Sequence, residues 1–161
     1  MKRMGPQWKP IFGVVHAPVN RTTWFGGVDV PATKITDAET SEISVKKQTS
    51  TQPRLVASGS HRAERDEKFA KELGDHELVR MGSSLKACIV AEGSADLYPR
   101  FGPTSCWDIA AAHAVVEAAG GFVLSPQCKP LVYDLVDEVL NPYFLVTCSS
   151  EWNDIWAQNQ D

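Results

Sequence analysis

The sequence predicts an α/β domain in which helices cover a largely buried sheet, preceded by a β-hairpin. Three observations carry this expectation. From residue 54 onward, short apolar runs alternate with helical stretches, as in strands joined through helices. An Ala-rich helix opening on Trp107-Asp108 is stopped by Gly120-Gly121, since the residue past a helix end often turns left-handed. Residues 11–17 and 22–26 are apolar, β-branched or aromatic around the turn residues Pro18-Val19-Asn20-Arg21, which predicts a hairpin.

The elements follow in order. A Gly26-Gly27-Val28-Asp29 turn continues the hairpin, so residues 1–35 read as one β unit. Residues 36–53 are rich in Ser, Thr, Lys and Glu without a sustained period, which predicts a polar linker with one short strand at 43–46. The α/β domain then runs over 54–161. Strands are expected at 55–58, 77–81, 95–98, 121–125 and 143–148. Ser60 is placed to cap a helix over 61–73 stopped by Gly74, and Ser83 to cap one reaching Glu92 before Gly93. A last short helix after Ser149 or Ser150 carries Trp152, Ile155 and Trp156.

The 161 residues are enough for one domain, which would bury roughly 70% of its unfolded surface. A hydrophobic share of 43% and a charged share of 22% are ordinary globular values. The net charge of −4 argues against a nucleic-acid or membrane-surface binder, for which a basic patch is expected. No apolar run approaches the ~18 residues of a membrane span. Residues 1–8 carry charge without an apolar core, so no secretory leader is expected and the cytoplasm is the expected compartment. Cys88, Cys106, Cys128 and Cys148 are widely spaced, which predicts buried free thiols rather than a zinc site.

Candidate functional residues cluster at helix starts, where free N–H groups and the dipole favour anions. Ser58-Gly59-Ser60-His61 brings hydroxyls and an imidazole to a strand end. Ser83 and Lys86, three apart, are expected on one helix face. Arg100 adds a planar, permanently charged fork in a Pro- and Gly-rich loop. Asp108 has two readings: a helix-start carboxylate that satisfies free N–H groups, or a metal ligand held on a rigid element. His113 and Glu117, four apart, read as a structural pair, and the tryptophans as core or interface.

The run Trp107-Asp108-Ile109-Ala110-Ala111-Ala112-His113-Ala114, closing on Gly120-Gly121, resembles a signature of the inositol monophosphatase superfamily of metal-dependent phosphatases. Further stretches resemble one branch, the bacterial 3'(2'),5'-bisphosphate nucleotidases. They are residues 10–18, Ser58-Gly59-Ser60-His61, Gly82-Ser83-Ser84-Leu85-Lys86, Ala91-Glu92-Gly93, residues 98–104, Lys129-Pro130-Leu131 and Leu140-Asn141-Pro142. The resemblance covers about residues 10–149. It implies the C-terminal mixed-sheet layer domain of the inositol-monophosphatase-like sugar phosphatase fold, preceded by a remnant hairpin of an N-terminal sheet. It also implies Mg²⁺-dependent removal of the 3'-phosphate of 3'-phosphoadenosine 5'-phosphate to give AMP. Asp108 would ligate one metal and contact substrate, and His61, Ser83, Lys86 and Arg100 would hold the nucleotide, mainly by its 5'-phosphate.

The departures matter equally. The family's Asp-Pro-x-Asp-Gly-Thr motif and its upstream Glu-rich loop do not occur: the chain contains neither Asp-Pro nor Gly-Thr. The resemblance is therefore to the C-terminal portion of such an enzyme, and the chain alone is expected to be inactive. Two alternatives stay open: a non-catalytic fragment that still binds nucleotide, or a phosphatase of the same superfamily acting on inositol or sugar phosphates. The hairpin would lack its neighbours in a larger sheet, so self-association or a partner chain is expected there.

Overall fold

The computed structural model describes residues 1–46, 52–57, 64–135 and 138–160. β1 (Lys2–Met4) and β2 (Gln7–Lys9) pair antiparallel across Gly5-Pro6. β3 (Phe12–Ala17) follows with strict alternation: Val15 and Ala17 are buried, while Phe12, Val14 and His16 face out. It pairs with β4 (Thr22–Gly27), the hairpin that the turn chemistry predicts.

The sheet is larger than that hairpin. β5 (Val30–Ile35) and β6 (Thr40–Glu42) extend it in the order β3-β4-β5-β6, all antiparallel. The polar stretch expected as a linker thus carries a strand, and it falls at Thr40–Glu42 rather than 43–46. Its side chains are mostly exposed, and an edge strand with little to bury reads in sequence like a loop. Gly26 and Gly27 lie within β4, with a register shift between Phe25 and Gly27, so the turn is shorter than expected. Their smallness serves close packing: a Cβ on Gly26 would stand 2.9 Å from the Ala118 side chain.

The second sheet has the order β10-β11-β9-β7-β8. β7 (Arg54–Ala57) lies between parallel β8 (Glu77–Arg80) and β9 (Leu97–Arg100). β11 (Phe144–Thr147) joins β9 antiparallel, and β10 (Phe122–Leu124) joins β11. This is the mixed sheet that the resemblance implies. At the starts of β7 and β9, Asp96, 1% exposed, accepts bonds from the Arg54 backbone N–H at 2.7 Å, Nε at 3.0 Å and a terminal nitrogen at 2.7 Å.

α3 (Cys106–Ala118) lies between the sheets, packed on β3 and β4 on one side and on β10 and α2 (Leu85–Ala91) on another. Ala112, His113, Val115 and Val116 have no exposed surface, as expected of a helix apolar on every side. Gly13 permits the approach, since a Cβ there would meet the Ala111 carbonyl oxygen at 2.0 Å. Gly120, at φ +83°, ends the helix in the left-handed conformation that a side chain disfavours. α1 (Glu64–Leu73) and α4 (Asn153–Gln158) pack together, with Phe69 edge-on to Trp156. Among the described residues no helix is long and apolar enough to cross a membrane.

Candidate functional site

A cleft of ≈ 400 Å³ opens where the ends of β9 and β11 meet the starts of α2 and α3. Its walls come from four places: Ser83, Ser84 and Lys86 from α2 and the loop before it, Tyr98 and Arg100 from β9, Pro103 and Thr104 from the following loop, and Trp107, Asp108 and Ile109 from α3, with Phe144 behind. Four of the five residues singled out in the sequence, Ser83, Lys86, Arg100 and Asp108, therefore line one cavity. His61 and its Ser-Gly-Ser neighbours lie outside the described residues, as does the start expected for the first helix.

The local geometry corrects one expectation and narrows another. Ser83 does not cap α2; it sits before the helix at φ +55°, and Ser84 takes the N-cap position without a side-chain capping bond. Ser83 and Lys86 thus share a cleft wall rather than a helix face. Of the two readings for the tryptophans, core or interface, the first does not hold at Trp107, which is 69% exposed. It stands in the first turn of α3, beside Asp108.

Lys86 is the unusual group. It is 6% exposed, with its ammonium 5.3 Å above the centre of the Tyr98 ring. Burial and then the neighbouring Arg100 charge hold its pKa below the ordinary lysine value. Among the described residues neither Lys86 nor Arg100 has a carboxylate partner. Arg100 is half-buried; it donates one bond to the Pro103 carbonyl at 3.3 Å, and its buried Nε has no acceptor among the described residues. Two adjacent cations drawn out of water without an anion are costly unless a ligand supplies the negative charge.

Asp108 occupies the third position of α3 and accepts the Ser105 backbone N–H at 2.7 Å. This is helix-start geometry, on an exposed residue that also lines the cleft. The loop before it is braced: Asn141 donates to Thr104 Oγ1 at 3.0 Å and to the Ser105 carbonyl at 2.8 Å, and the Cys106 N–H bonds to the Val139 carbonyl. Nothing in the chain order marks Tyr98 as a wall of the site, because a lone Tyr in a strand reads as core.

Away from the cleft, His113 donates to or accepts from the Tyr133 hydroxyl at 2.8 Å. Its other nitrogen stands 3.4 Å from Glu117, which Lys9 pairs with at 3.1 Å. The four cysteines are free. Cys88, Cys106 and Cys148 are buried and Cys128 is partly exposed; burial pushes the Cys88 thiol up to about 12 and Cys148 to about 11.

Comparison with known proteins shows a match to the inositol monophosphatase family over residues 7–154. The chain belongs to that family. It is 43% identical over 145 residues to the 3'(2'),5'-bisphosphate nucleotidase CysQ of Salmonella typhimurium, covering 88% of this chain and 56% of that protein. Against the protein of the same name from Escherichia coli K12 it is 44% identical over 143 residues, covering 86% and 55%. The chain spans about half the length of the curated relatives it matches. Among solved structures, CysQ from Bacteroides thetaiotaomicron, a bacterial member of the inositol monophosphatase family, superposes with a TM-score of 0.77 at 33% identity, over 88% of this chain and 59% of that one. An inositol monophosphatase from Zymomonas mobilis superposes at 0.74 with 18% identity, over 95% of this chain and 58% of that one, a likeness of fold alone.

Proposed function

We propose that this chain supplies the nucleotide-binding part of a 3'(2'),5'-bisphosphate nucleotidase site, and that alone it binds nucleotide without hydrolysing it at an enzymic rate. The observation that carries the binding half is the pair Lys86 and Arg100, one buried and one half-buried in the same cleft, without a carboxylate partner among the described residues. A phosphate there accepts charge-assisted bonds of about 1.5–3 kcal/mol each and relieves the repulsion between the two cations. Ser83 lies within the same wall, and His61 is assigned to the nucleotide by the family resemblance. The relatives' names specify a bisphosphate nucleotide, and the family resemblance makes it 3'-phosphoadenosine 5'-phosphate with its 5'-phosphate on this pair.

For Mg²⁺ the donor set is short. Asp108 is the one carboxylate lining the cleft among the described residues, and one of its oxygens is already occupied by Ser105. Among the described residues no three His, Cys, Asp or Glu side chains converge. Mg²⁺ takes about six oxygens in near-octahedral order, often one or two of them protein carboxylates, and two-metal hydrolysis needs more. The described residues do not make such a site without further carboxylates, which is why binding rather than turnover is assigned to the isolated chain.

The test pairs activity with binding. Phosphate release from 3'-phosphoadenosine 5'-phosphate is measured with Mg²⁺, for the chain and for Asp108→Asn, and AMP is titrated by NMR. Negligible release is expected, with AMP-dependent shifts at cleft residues that weaken on removal of Lys86 or Arg100, most strongly at low salt. Turnover of about 1–10³ s⁻¹ abolished by Asp108→Asn would overturn the inactive reading. An absence of shifts at millimolar AMP would overturn the cleft assignment.

A further inference from the structure

The five tryptophans do not share one environment. Trp24, Trp152 and Trp156 are at most 5% exposed. The Trp24 indole donates to Glu92 at 2.8 Å and that of Trp156 to the Ser125 carbonyl at 2.8 Å. Trp8 is partly buried against the core. Trp107 alone is largely in water, 69% exposed, and among the described residues its indole has no hydrogen-bond or ring partner. An indole left this open gives up most of the apolar burial that normally justifies a tryptophan.

It is nevertheless held rigidly. Its neighbours Cys106 and Asp108 are tied by the Cys106 N–H bond to Val139 and the Asp108 bond to Ser105. The preceding loop is fastened by Asn141. An exposed ring on a braced backbone, set in the wall of a cleft, is a surface prepared for a flat partner.

The same cleft offers two kinds of lining. Lys86 and Arg100 bring positive charge to it, while Pro103, Trp107 and Ile109 bring apolar surface. A cavity of ≈ 400 Å³ falls within the range that holds small-molecule ligands. A ligand that carries both a phosphate for the cations and a planar, poorly hydrated group for the exposed indole satisfies both. Nucleotides have this form, because every base offers a π-face to an aromatic side chain.

We infer that Trp107 is the specificity-determining residue of this cleft, stacking the ligand's nucleobase while Lys86 and Arg100 hold its phosphate. The inference rests on the phosphate reading above, and its test separates the two. Inorganic phosphate, ribose 5-phosphate and AMP are titrated into the full chain, Trp107→Ala and Trp107→Phe by calorimetry, with the indole N–H resonance followed by NMR. AMP should bind roughly 5- to 150-fold more tightly than ribose 5-phosphate, the span of base–aromatic stacking. Trp107→Ala should erase that margin and leave phosphate and ribose 5-phosphate unchanged; Trp107→Phe should restore most of it. The Trp107 indole resonance should move with AMP but not with phosphate.

If phosphate and ribose 5-phosphate bind but AMP binds no better, the stacking role is wrong and the phosphate reading survives. The stacking role also falls if Trp107→Ala weakens all three ligands equally, since the ring would then only support the cleft. If the unaltered chain binds none of the three, both readings fall.

Discussion

Lys86→Met separates the stability of this fold from its ligand affinity. In the folded chain Lys86 is 6% exposed and its ammonium stands above Tyr98, with its pKa held low first by burial and then by Arg100. The ring returns part of the lost hydration as a cation–π contact of about 0.5–2 kcal/mol. No carboxylate among the described residues returns the rest. Methionine fills similar space without a charge, so the variant should be more stable by about 1 kcal/mol, the lower end of the gain when buried charges give way to apolar side chains. In a chain of this size that is a rise in Tm of about 2–4 °C. The pH dependence follows from the sign of the shift. A lysine whose folded pKa lies below its unfolded value of about 10.4 costs stability in full at neutral pH. That cost fades as pH rises through the folded pKa toward the unfolded one, and the variant's advantage should fade with it. Phosphate reverses the order: at ten times its Kd it stabilises the parent chain by about 1.4 kcal/mol and leaves the variant nearly unmoved. Urea unfolding at pH 7, with and without phosphate, reads both quantities. A variant less stable than the parent without phosphate, or one that gains as much from phosphate, would refute the reasoning.

Two further outcomes test the fold. Gly13→Ala places a methyl 2.0 Å from the Ala111 carbonyl oxygen, forcing β3 and α3 apart, and should cost about 1–3 kcal/mol; an unchanged unfolding midpoint would show that the strand gives way freely. At Glu117 burial opposes the charge, but His113 and Lys9 outweigh it and hold the carboxyl below its ordinary range. Its stabilisation is therefore full above the unfolded pKa of about 4.3 and is lost as pH falls through the folded value. Glu117→Gln should destabilise at pH 7 by on the order of 1 kcal/mol and have little effect near pH 3, as read by denaturant midpoints at the two pH values.

The helix stops at Gly74, Gly93 and Gly120, the hairpin around Pro18–Arg21 and the strand–helix alternation after residue 54 were all legible in the sequence. Each depends on local chemistry: backbone freedom at glycine, turn residues and apolar period. The Trp-Asp run likewise carried the family, because its spacing belongs to one rigid helix start. What the chain order did not reveal was anything decided by distant neighbours. β5 and β6 exist as strands because β4 offers them an edge, although their own residues are polar or mixed. Gly26 reads as a turn glycine until α3 is laid against it. Lys86 and Trp107 show the same limit most clearly. In sequence Lys86 reads as a helix-face partner of Ser83, and a tryptophan beside an Ala-rich run reads as core or interface. Packing decides both, burying Lys86 with its ammonium above the Tyr98 ring and leaving the Trp107 indole largely in water in the same cleft, because burial depends on what the rest of the chain brings to each side of a residue.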